Sequence, residues 1–311
     1  MRIRTPSRVH ITLIDMNGSL GRIDGGVGFA LNEPFIEIEA FESEEVFVKG
    51  KAHNLDRFLE FAKKLSNYFG KGIEIFIKSD YRSHIGLGSG TQIGLAIGKA
   101  FSELYDLNLT IREIAEIVGR GGTSGIGVAV FEFGGFVVDG GHSMKEKKDF
   151  LPSSASKAKP AKVISRLDFP DWDVFVLIPK LSGAYGSGEI NLFQKSCPVP
   201  LEDVRELCHL ILMKMLPAVA EADLDSFLFA LRRIQHLGFK RAEVERYGKM
   251  MREFLDHFPA GMSSTGPSVF TISDTNLKTL AKDMRSYFEE RGIECEEIIT
   301  KGRNRGAEVE L

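Results

Sequence analysis

Three stretches of this chain combine glycine with hydroxyl side chains in a pattern suited to holding an anion. They are Ser83-His-Ile-Gly-Leu-Gly-Ser-Gly-Thr-Gln92, Gly119-Arg-Gly-Gly-Thr-Ser-Gly-Ile-Gly127 and Gly261-Met-Ser-Ser-Thr-Gly-Pro267. Glycine lets the backbone bend tightly and approach a ligand closely. A helix that starts at such a turn adds unpaired N–H donors and the positive end of its dipole. In the first stretch Gly86, Leu87, Gly88, Ser89, Gly90 and Thr91 form a candidate phosphate loop, with the Ser89 and Thr91 hydroxyls able to bond phosphate or ligate Mg²⁺. The loop lacks the Gly-Lys-Ser/Thr ending of a Walker loop, and its spacing is not GxGxxG. In the second stretch Arg120, set between glycines, suits a bidentate grip on phosphate or carboxylate, with Ser124 and Gly125 close behind it. In the third, Ser263, Ser264 and Thr265 put three hydroxyls in a row beside glycine.

Other residues offer chemistry with an alternative reading attached. His10 lies beside Thr12 on an expected strand and reads either as a ligand group or as a half-buried structural histidine. Asp139 and His142 follow the apolar run Phe136-Val-Val138. An acid and an imidazole there can bind Mg²⁺ or move a proton, or simply stabilise the turn. Glu189 follows Gly183-Ala-Tyr-Gly-Ser-Gly188 in a long connection. Lys145 to Lys148 read as a solvated run. Cys197, Cys208 and Cys295 are odd in number and scattered, which favours a reducing compartment and gives no paired zinc spacing.

The elements that must position these groups are legible from periodicity. Ile73, Ile75 and Ile77 alternate ahead of the first loop, and Ile93, Ile97, Ala100 and Phe101 recur at helical spacing after it. Strand, loop and helix therefore follow one another from residue 73 to residue 105. Phe35 to Phe41 and Val46 to Val48 read as strands, and Leu55, Phe58, Leu59, Ala62 and Leu65 as an amphipathic helix. Thr110 with Glu113 fits a capping box. Residues 143–162 read as a mobile surface loop near a domain boundary. Val174 to Ile178 is a buried strand, residues 181–200 a long connection, and helices are expected over about 201–216, 223–236, 242–257 and 276–291. Strands at 269–272, 295–299 and 307–310 complete an α+β pattern.

With 311 residues, 43% of them hydrophobic and 27% charged, the chain has the composition of a globular protein with room for two cores. A net charge of -3 leaves no electrostatic footprint for nucleic acid. No apolar run approaches the roughly 20 residues of a membrane span, and the N-terminus carries no signal-peptide core. A cytoplasmic location is expected.

The first loop resembles the second motif of the GHMP superfamily (galactokinase, homoserine, mevalonate and phosphomevalonate kinases), Gly-Leu-Gly-Ser-Ser-Ala, with Gly90 in place of the second serine. Pro6 through Gly28 resembles its first motif loosely, and Gly261 to Pro267 its third. The resemblance implies a GHMP fold: a ribosomal-S5-like domain over residues 1–165, a ferredoxin-like domain over residues 166–311, and a ligand in the cleft between them. Many GHMP kinases carry Ser-Gly-x-Asp in the second glycine segment, its aspartate serving as base. Here that segment is Ser124-Gly-Ile-Gly127, and Gly127 cannot accept a proton.

The finer pattern is similar to a GHMP branch that is not a kinase, the β-ribofuranosylaminobenzene 5′-phosphate synthase family of archaeal methanopterin biosynthesis. Arg8-Val-His-Ile-Thr-Leu-Ile-Asp15, Gly21-Arg-Ile-Asp-Gly-Gly-Val-Gly28, Gly134-Gly-Phe-Val-Val-Asp-Gly-Gly-His142 and the three loops carry the match. It implies condensation of phosphoribosyl pyrophosphate with 4-aminobenzoate or 4-hydroxybenzoate, releasing CO₂ and pyrophosphate, with Mg²⁺ and a homodimeric assembly expected. It also implies site roles for Asp15, Arg22 and Asp24, alongside Arg120, Asp139 and His142 as catalytic candidates. Two other readings stand beside it: an ATP-dependent GHMP kinase, disfavoured by Gly90 and Gly127, and a non-catalytic binding protein, disfavoured by the three retained loops.

Overall fold

The computed structural model describes residues 1–182 and 186–310. Strands β1 (Arg2–Asp15), β2 (Arg22–Ser43) and β3 (Val46–Lys49) open the chain, followed by α1 (Leu55–Phe69), β4 (Gly72–Ser79), α2 (Ser89–Leu104), α3 (Ile111–Val118) and α4 (Ile126–Phe133). Strands β5 (Phe136–Asp139), β6 (His142–Ser143), β7 (Val163–Leu167) and β8 (Asp173–Pro179) come next. Helices α5 (Ser187–Ser196), α6 (Leu201–Leu210), α7 (Leu216–Glu221), α8 (Leu224–Ile234), α9 (Gly238–Glu245) and α10 (Gly248–His257) precede β9 (Ala260–Met262), β10 (Val269–Ser273), α11 (Lys278–Glu289), β11 (Cys295–Lys301) and β12 (Glu308–Glu310).

Two sheets organise these elements. The larger runs β12-β1-β2-β4-β3, with β5, β6 and β7 continuing from β2, and the smaller runs β11-β8-β10-β9. Ile3, Val9, Ile11, Val27, Phe29, Ile36 and Ile38 of β1 and β2 are buried against α2 residues such as Ile93, Ile97 and Phe101. The alternation seen in the sequence is thus the alternation of core and polar faces. The smaller sheet buries Phe175, Leu177 and Val269 with Phe254, Met284 and Phe288 of α10 and α11. Phe29 stacks on Phe169 at 4.3 Å, within the core that continues into Phe227 and Trp172.

Most expected elements form. The capping box at Thr110 and Glu113 is complete in both directions. Three expectations change. The glycine-rich stretch from Gly21 to Gly28 and the strand expected over Phe35 to Phe41 fall on one continuous 22-residue strand, β2. The connection 181–200 contains α5, although Gly183, Ala184 and Tyr185 lie outside the described residues. The helix expected over 201–216 runs on to Glu221 through a π-helical turn at Ile211–Met215. Pro217 has no N–H to give, and the ladder changes register just before it.

Residues 143–162 are not a detached loop. Lys147 is 6% exposed in a run expected to be solvated. Its ammonium lies 2.9 and 3.1 Å from the two carboxylate oxygens of Asp24, and it also donates to Gly122 O and Thr123 Oγ1. A buried carboxylate 123 positions earlier in the chain holds the lysine inside; local charge density could not reveal it.

Candidate active site

A cavity of about 460 Å³ opens where the three glycine-rich stretches converge. Its wall is built by mutual contacts between them. Gly86 has φ +91°, and a Cβ there would stand 2.4 Å from Ser263 O, so only glycine lets the first loop seat on the third. Ser263 Oγ donates to Gly86 O at 2.8 Å and accepts from His10 N at 3.0 Å. Ser264 N donates to His10 O at 2.8 Å. Strand β1 is thus clamped to both loops through His10. Lys240 of α9, wholly buried, donates to Met262 O and Ser264 O and pairs with Glu243. These bonds hold the third loop against the helical layer.

The first loop delivers the start of α2 to the cavity. Gly88, in the left-handed region, precedes the helix, and no side chain caps it. Ser89, Gly90 and Thr91 all face the cavity. The Ser89 hydroxyl lies 3.0 Å from Ser83 Oγ, which donates to Asn54 Oδ1 and accepts from Arg57 Nη1. This chain of hydroxyls fixes Ser89 and leaves it lining the cavity. The Ser89→Ala variant should bind its anionic ligand roughly one to two powers of ten more weakly, the worth of a hydrogen bond to a charged group. Titration calorimetry beside a thermal melt checks this, and an unchanged affinity would make the loop purely structural.

Three guanidiniums surround that helix start: Arg8, Arg57 and Arg120. Among the described residues none of them forms an ion pair with a carboxylate. Arg8 donates to Gly86 O, Arg57 to Ser83 Oγ, and Arg120 sits over the Phe61 ring at 5.3 Å with its Nε unpartnered. Burial lowers the Arg8 pKa to about 10, and burial together with Arg57 lowers that of Arg120. Both remain cationic at neutral pH. Gly90 leaves room for the end of Arg57. A Cβ at position 90 would stand 2.7 Å from Arg57 Nη1 and 3.4 Å from Arg120 Nη2. The glycine at the position of the kinase serine therefore leaves space for the Arg57 guanidinium.

Two carboxyls share the cavity, Glu189 on α5 and Glu243 on α9. Burial, with Glu243 nearby, pushes Glu189 up to about 7, and burial raises Glu243. The cavity has an apolar flank of Leu13, Pro152 and Phe193, the last one helical turn beyond Glu189. His10 lines the wall with Nε2 3.0 Å from Ser124 Oγ, and burial holds its pKa well below the usual value, so it is neutral.

The cavity thus gathers His10, Gly86, Gly88, Ser89, Gly90, Thr91, Arg120, Ser124, Gly127, Glu189, Ser264 and Thr265 from the sequence reading. Other candidates stand outside its wall. Leu87 is core, its carbonyl accepting from Arg8 N and Tyr81 Oη. Gly125 N donates to Asp139, and a Cβ on Gly125 would meet Ala161 O at 2.7 Å. Asp139 is fully buried, also accepting from Gly141 N, and burial pushes it up to about 7. Asp24 is bound between Lys147 and His142, whose other ring nitrogen meets Lys159 O at 2.8 Å. Asp15 Oδ1 accepts from Asn17 N and Gly18 N, and Arg22 donates to Gly140 O and Gly141 O. Sequence reasoning missed Arg8, Arg57, Thr123, Ser153, Ser154 and Glu243. Of these, Arg8 and Thr123 lay within stretches it had singled out.

Comparison with known proteins agrees with this architecture. Residues 56–135 match the family described as GHMP kinases N terminal domain. The structure of homoserine kinase from Cytophaga hutchinsonii superposes with a TM-score of 0.69 at 15% identity, covering 100% of this chain and 97% of that one. The L. major mevalonate kinase bound to R-mevalonate gives 0.66 at 14%, covering 98% and 97%. The fold is therefore the GHMP kinase fold. At the level of sequence the likeness is far narrower. The β-ribofuranosylphenol 5′-phosphate synthase of Archaeoglobus fulgidus is 65% identical over the whole of both chains, and that of Methanocaldococcus jannaschii 43% over 99% of this chain and all of its own. The chain belongs to the β-ribofuranosylphenol 5′-phosphate synthase family and is an enzyme of that type. No helix among the described residues is long and apolar enough to cross a membrane.

Proposed function

We propose that the protein joins phosphoribosyl pyrophosphate to 4-hydroxybenzoate, releasing CO₂ and pyrophosphate and leaving a β-ribofuranosylphenol 5′-phosphate. The observation that carries this reading is the trio Arg8, Arg57 and Arg120, without carboxylate partners among the described residues, around one uncapped helix start. Phosphoribosyl pyrophosphate brings two phosphate groupings, enough charge for all three. The relatives' name, which specifies a phenol product, favours 4-hydroxybenzoate over 4-aminobenzoate.

In this reading Arg57, Arg120, Ser89 and the N–H groups of Ser89 and Gly90 bind the pyrophosphate, and Ser264 and Thr265 bind the 5′-phosphate. Leu13, Pro152 and Phe193 supply the flat apolar flank for the aromatic ring. Holding the carboxylate-bearing ring carbon against the sugar C1 converts a bimolecular step into an oriented one. As pyrophosphate departs, the donors around it stabilise the developing charge. The new C–C bond forms as the C1–O bond breaks, and loss of CO₂ restores aromaticity. Among the described residues no cluster of three or more His, Cys, Asp or Glu can hold a metal alone. Mg²⁺ ordinarily binds through one or two carboxylates plus substrate phosphates. Glu189, which forms no ion pair among the described residues, would be its protein ligand. When bound, the cation would neutralise charge on the leaving pyrophosphate.

The test is calorimetry with phosphoribosyl pyrophosphate and with ATP, each with Mg²⁺, followed by turnover with 4-hydroxybenzoate while CO₂ and pyrophosphate are measured. Tighter binding of phosphoribosyl pyrophosphate with stoichiometric release of both products is expected. Tight ATP binding without either product would instead favour the kinase reading, against which Gly127 stands.

A further inference from the structure

The segment from Ser143 to Lys162 lies over the second glycine-rich stretch, and glycines make the fit. A Cβ at Gly121 would meet Pro160 at 2.8 Å, and one at Gly122 would meet Ser156 Oγ at 2.8 Å and Ala158 O at 2.9 Å. Ser156 Oγ donates to Gly122 O at 2.6 Å, and Ala161 N donates to Gly121 O at 3.2 Å. Those glycines make room for this strap. At its centre Pro152 O accepts from Ala155 N and Ser156 N, forming a single turn. That turn puts Pro152, Ser153 and Ser154 on the cavity wall, beside Arg120 and Thr123.

Lys147 ties the whole arrangement together. Its ammonium touches Asp24 on β2, Gly122 O and Thr123 Oγ1 on the second glycine stretch, and Leu151 O just before the turn. Thr123 Oγ1 donates to the same Leu151 carbonyl. One buried cation therefore joins three chain segments, two of which line the cavity. Burying an ammonium is unfavourable unless it is paired and fully hydrogen-bonded, and here both conditions hold.

We propose that Lys147 is a positioning residue of the active site, holding the strap so that Ser153 and Ser154 contact the bound phosphoribosyl pyrophosphate. The choice of ligand rests on the function proposed above; the mechanical role of Lys147 does not. Removing the tether would leave the strap ordered in only a fraction of molecules. Apparent affinity falls by that fraction while the rate of the bound complex is retained.

The experiment uses the full chain as Lys147→Met, as Asp24→Asn/Lys147→Met, which removes both buried charges and so guards against misfolding, and as Ser153→Ala/Ser154→Ala. Hydrogen exchange of residues 144–161 should quicken by about ten-fold or more in both Lys147 variants, with α2 protection kept. KM for phosphoribosyl pyrophosphate should rise about ten-fold with kcat within about three-fold. The double serine variant should reproduce the KM rise with the exchange of the wild type. Unchanged exchange in the strap overturns the tether. Faster exchange with unchanged KM overturns the contact with substrate. Loss of protection throughout α2, in both Lys147 variants, reduces Lys147 to a stability element and likewise overturns the inference. If the wild type fails to turn over phosphoribosyl pyrophosphate, the functional reading fails by itself. The exchange data, with the Kd for inorganic pyrophosphate in place of KM, then still decide the role of Lys147.

Discussion

Replacing Arg120 with Met should weaken binding of phosphoribosyl pyrophosphate by roughly one to two powers of ten, and replacing Arg57 and Arg120 together by more than either alone but less than the roughly two to four that full addition would give. Each figure follows from about 1.5–3 kcal/mol for a hydrogen bond to a charged group, converted to affinity. The two side chains crowd the same glycine, with Gly90 leaving 2.7 and 3.4 Å for their nearest nitrogens. Their effects should therefore not add fully. Stability should move the other way. Burial and then the charge of Arg57 lower the affinity of Arg120 for a proton, and among the described residues no carboxylate pairs with either. Like charges held together without a ligand destabilise the free protein. The double variant should melt no lower than wild type without ligand, and should lose most of the rise in Tm that phosphoribosyl pyrophosphate gives the wild type. Calorimetry and ligand-dependent melts read both quantities. A double variant that melts several degrees lower while binding normally would mean that the arginines hold the fold rather than the substrate.

What could be read in advance divides along sequence distance. The strand-loop-helix from 73 to 105 was legible because its signals are local: alternation, a glycine turn, then helical spacing. The convergence of three hydroxyl-bearing loops came from the family resemblance, since glycines beside serines say only that each backbone approaches something. Arg57 was not legible. It lies on the polar side of an amphipathic helix, where an arginine ordinarily faces water, and only packing of α1 beside α2 turns it into the cavity. Lys147 was misread for a related reason, because its partner Asp24 sits 123 positions away. Conversely, Asp24, Asp139 and His142 drew attention as acid and imidazole in turns. In the fold they satisfy one another, backbone N–H groups and the strap. Residue type announced polar chemistry at these positions but did not say whether its partner was ligand or protein. Gly125 illustrates the same ambiguity for glycine, since the space it leaves is filled by Ala161.

Gly127→Asp should abolish turnover, and Gly127→Ala should not. Position 127 lies in the first turn of α4 and its φ is not in the left-handed region, so the backbone makes no demand for glycine there. An added Cβ would meet Thr91 Cγ2 at 3.1 Å, a contact relieved by a shift of a few tenths of an ångström. Alanine is therefore tolerated, and its better helix propensity offsets part of the crowding. Aspartate adds a carboxylate beside Thr91 at the start of α2, where the pyrophosphate is proposed to bind. Like charges about 4 Å apart repel by roughly 4 kcal/mol at an effective dielectric of 20, a loss of about three powers of ten in affinity. Aspartate is also what many kinases of this fold carry there, so the substitution asks whether a missing base alone separates this protein from phosphoryl transfer. The cavity says that it does not. Gly90 leaves room for the Arg57 guanidinium where those kinases place a serine, and Glu189 and Glu243 add carboxyls to the cavity wall. Gly127→Asp should thus gain no ATP-dependent activity while losing its own. Release of pyrophosphate and CO₂ and hydrolysis of ATP are followed for wild type, Gly127→Ala and Gly127→Asp, with a melt for each. A fully active Gly127→Asp would mean that the phosphates lie elsewhere than at the start of α2.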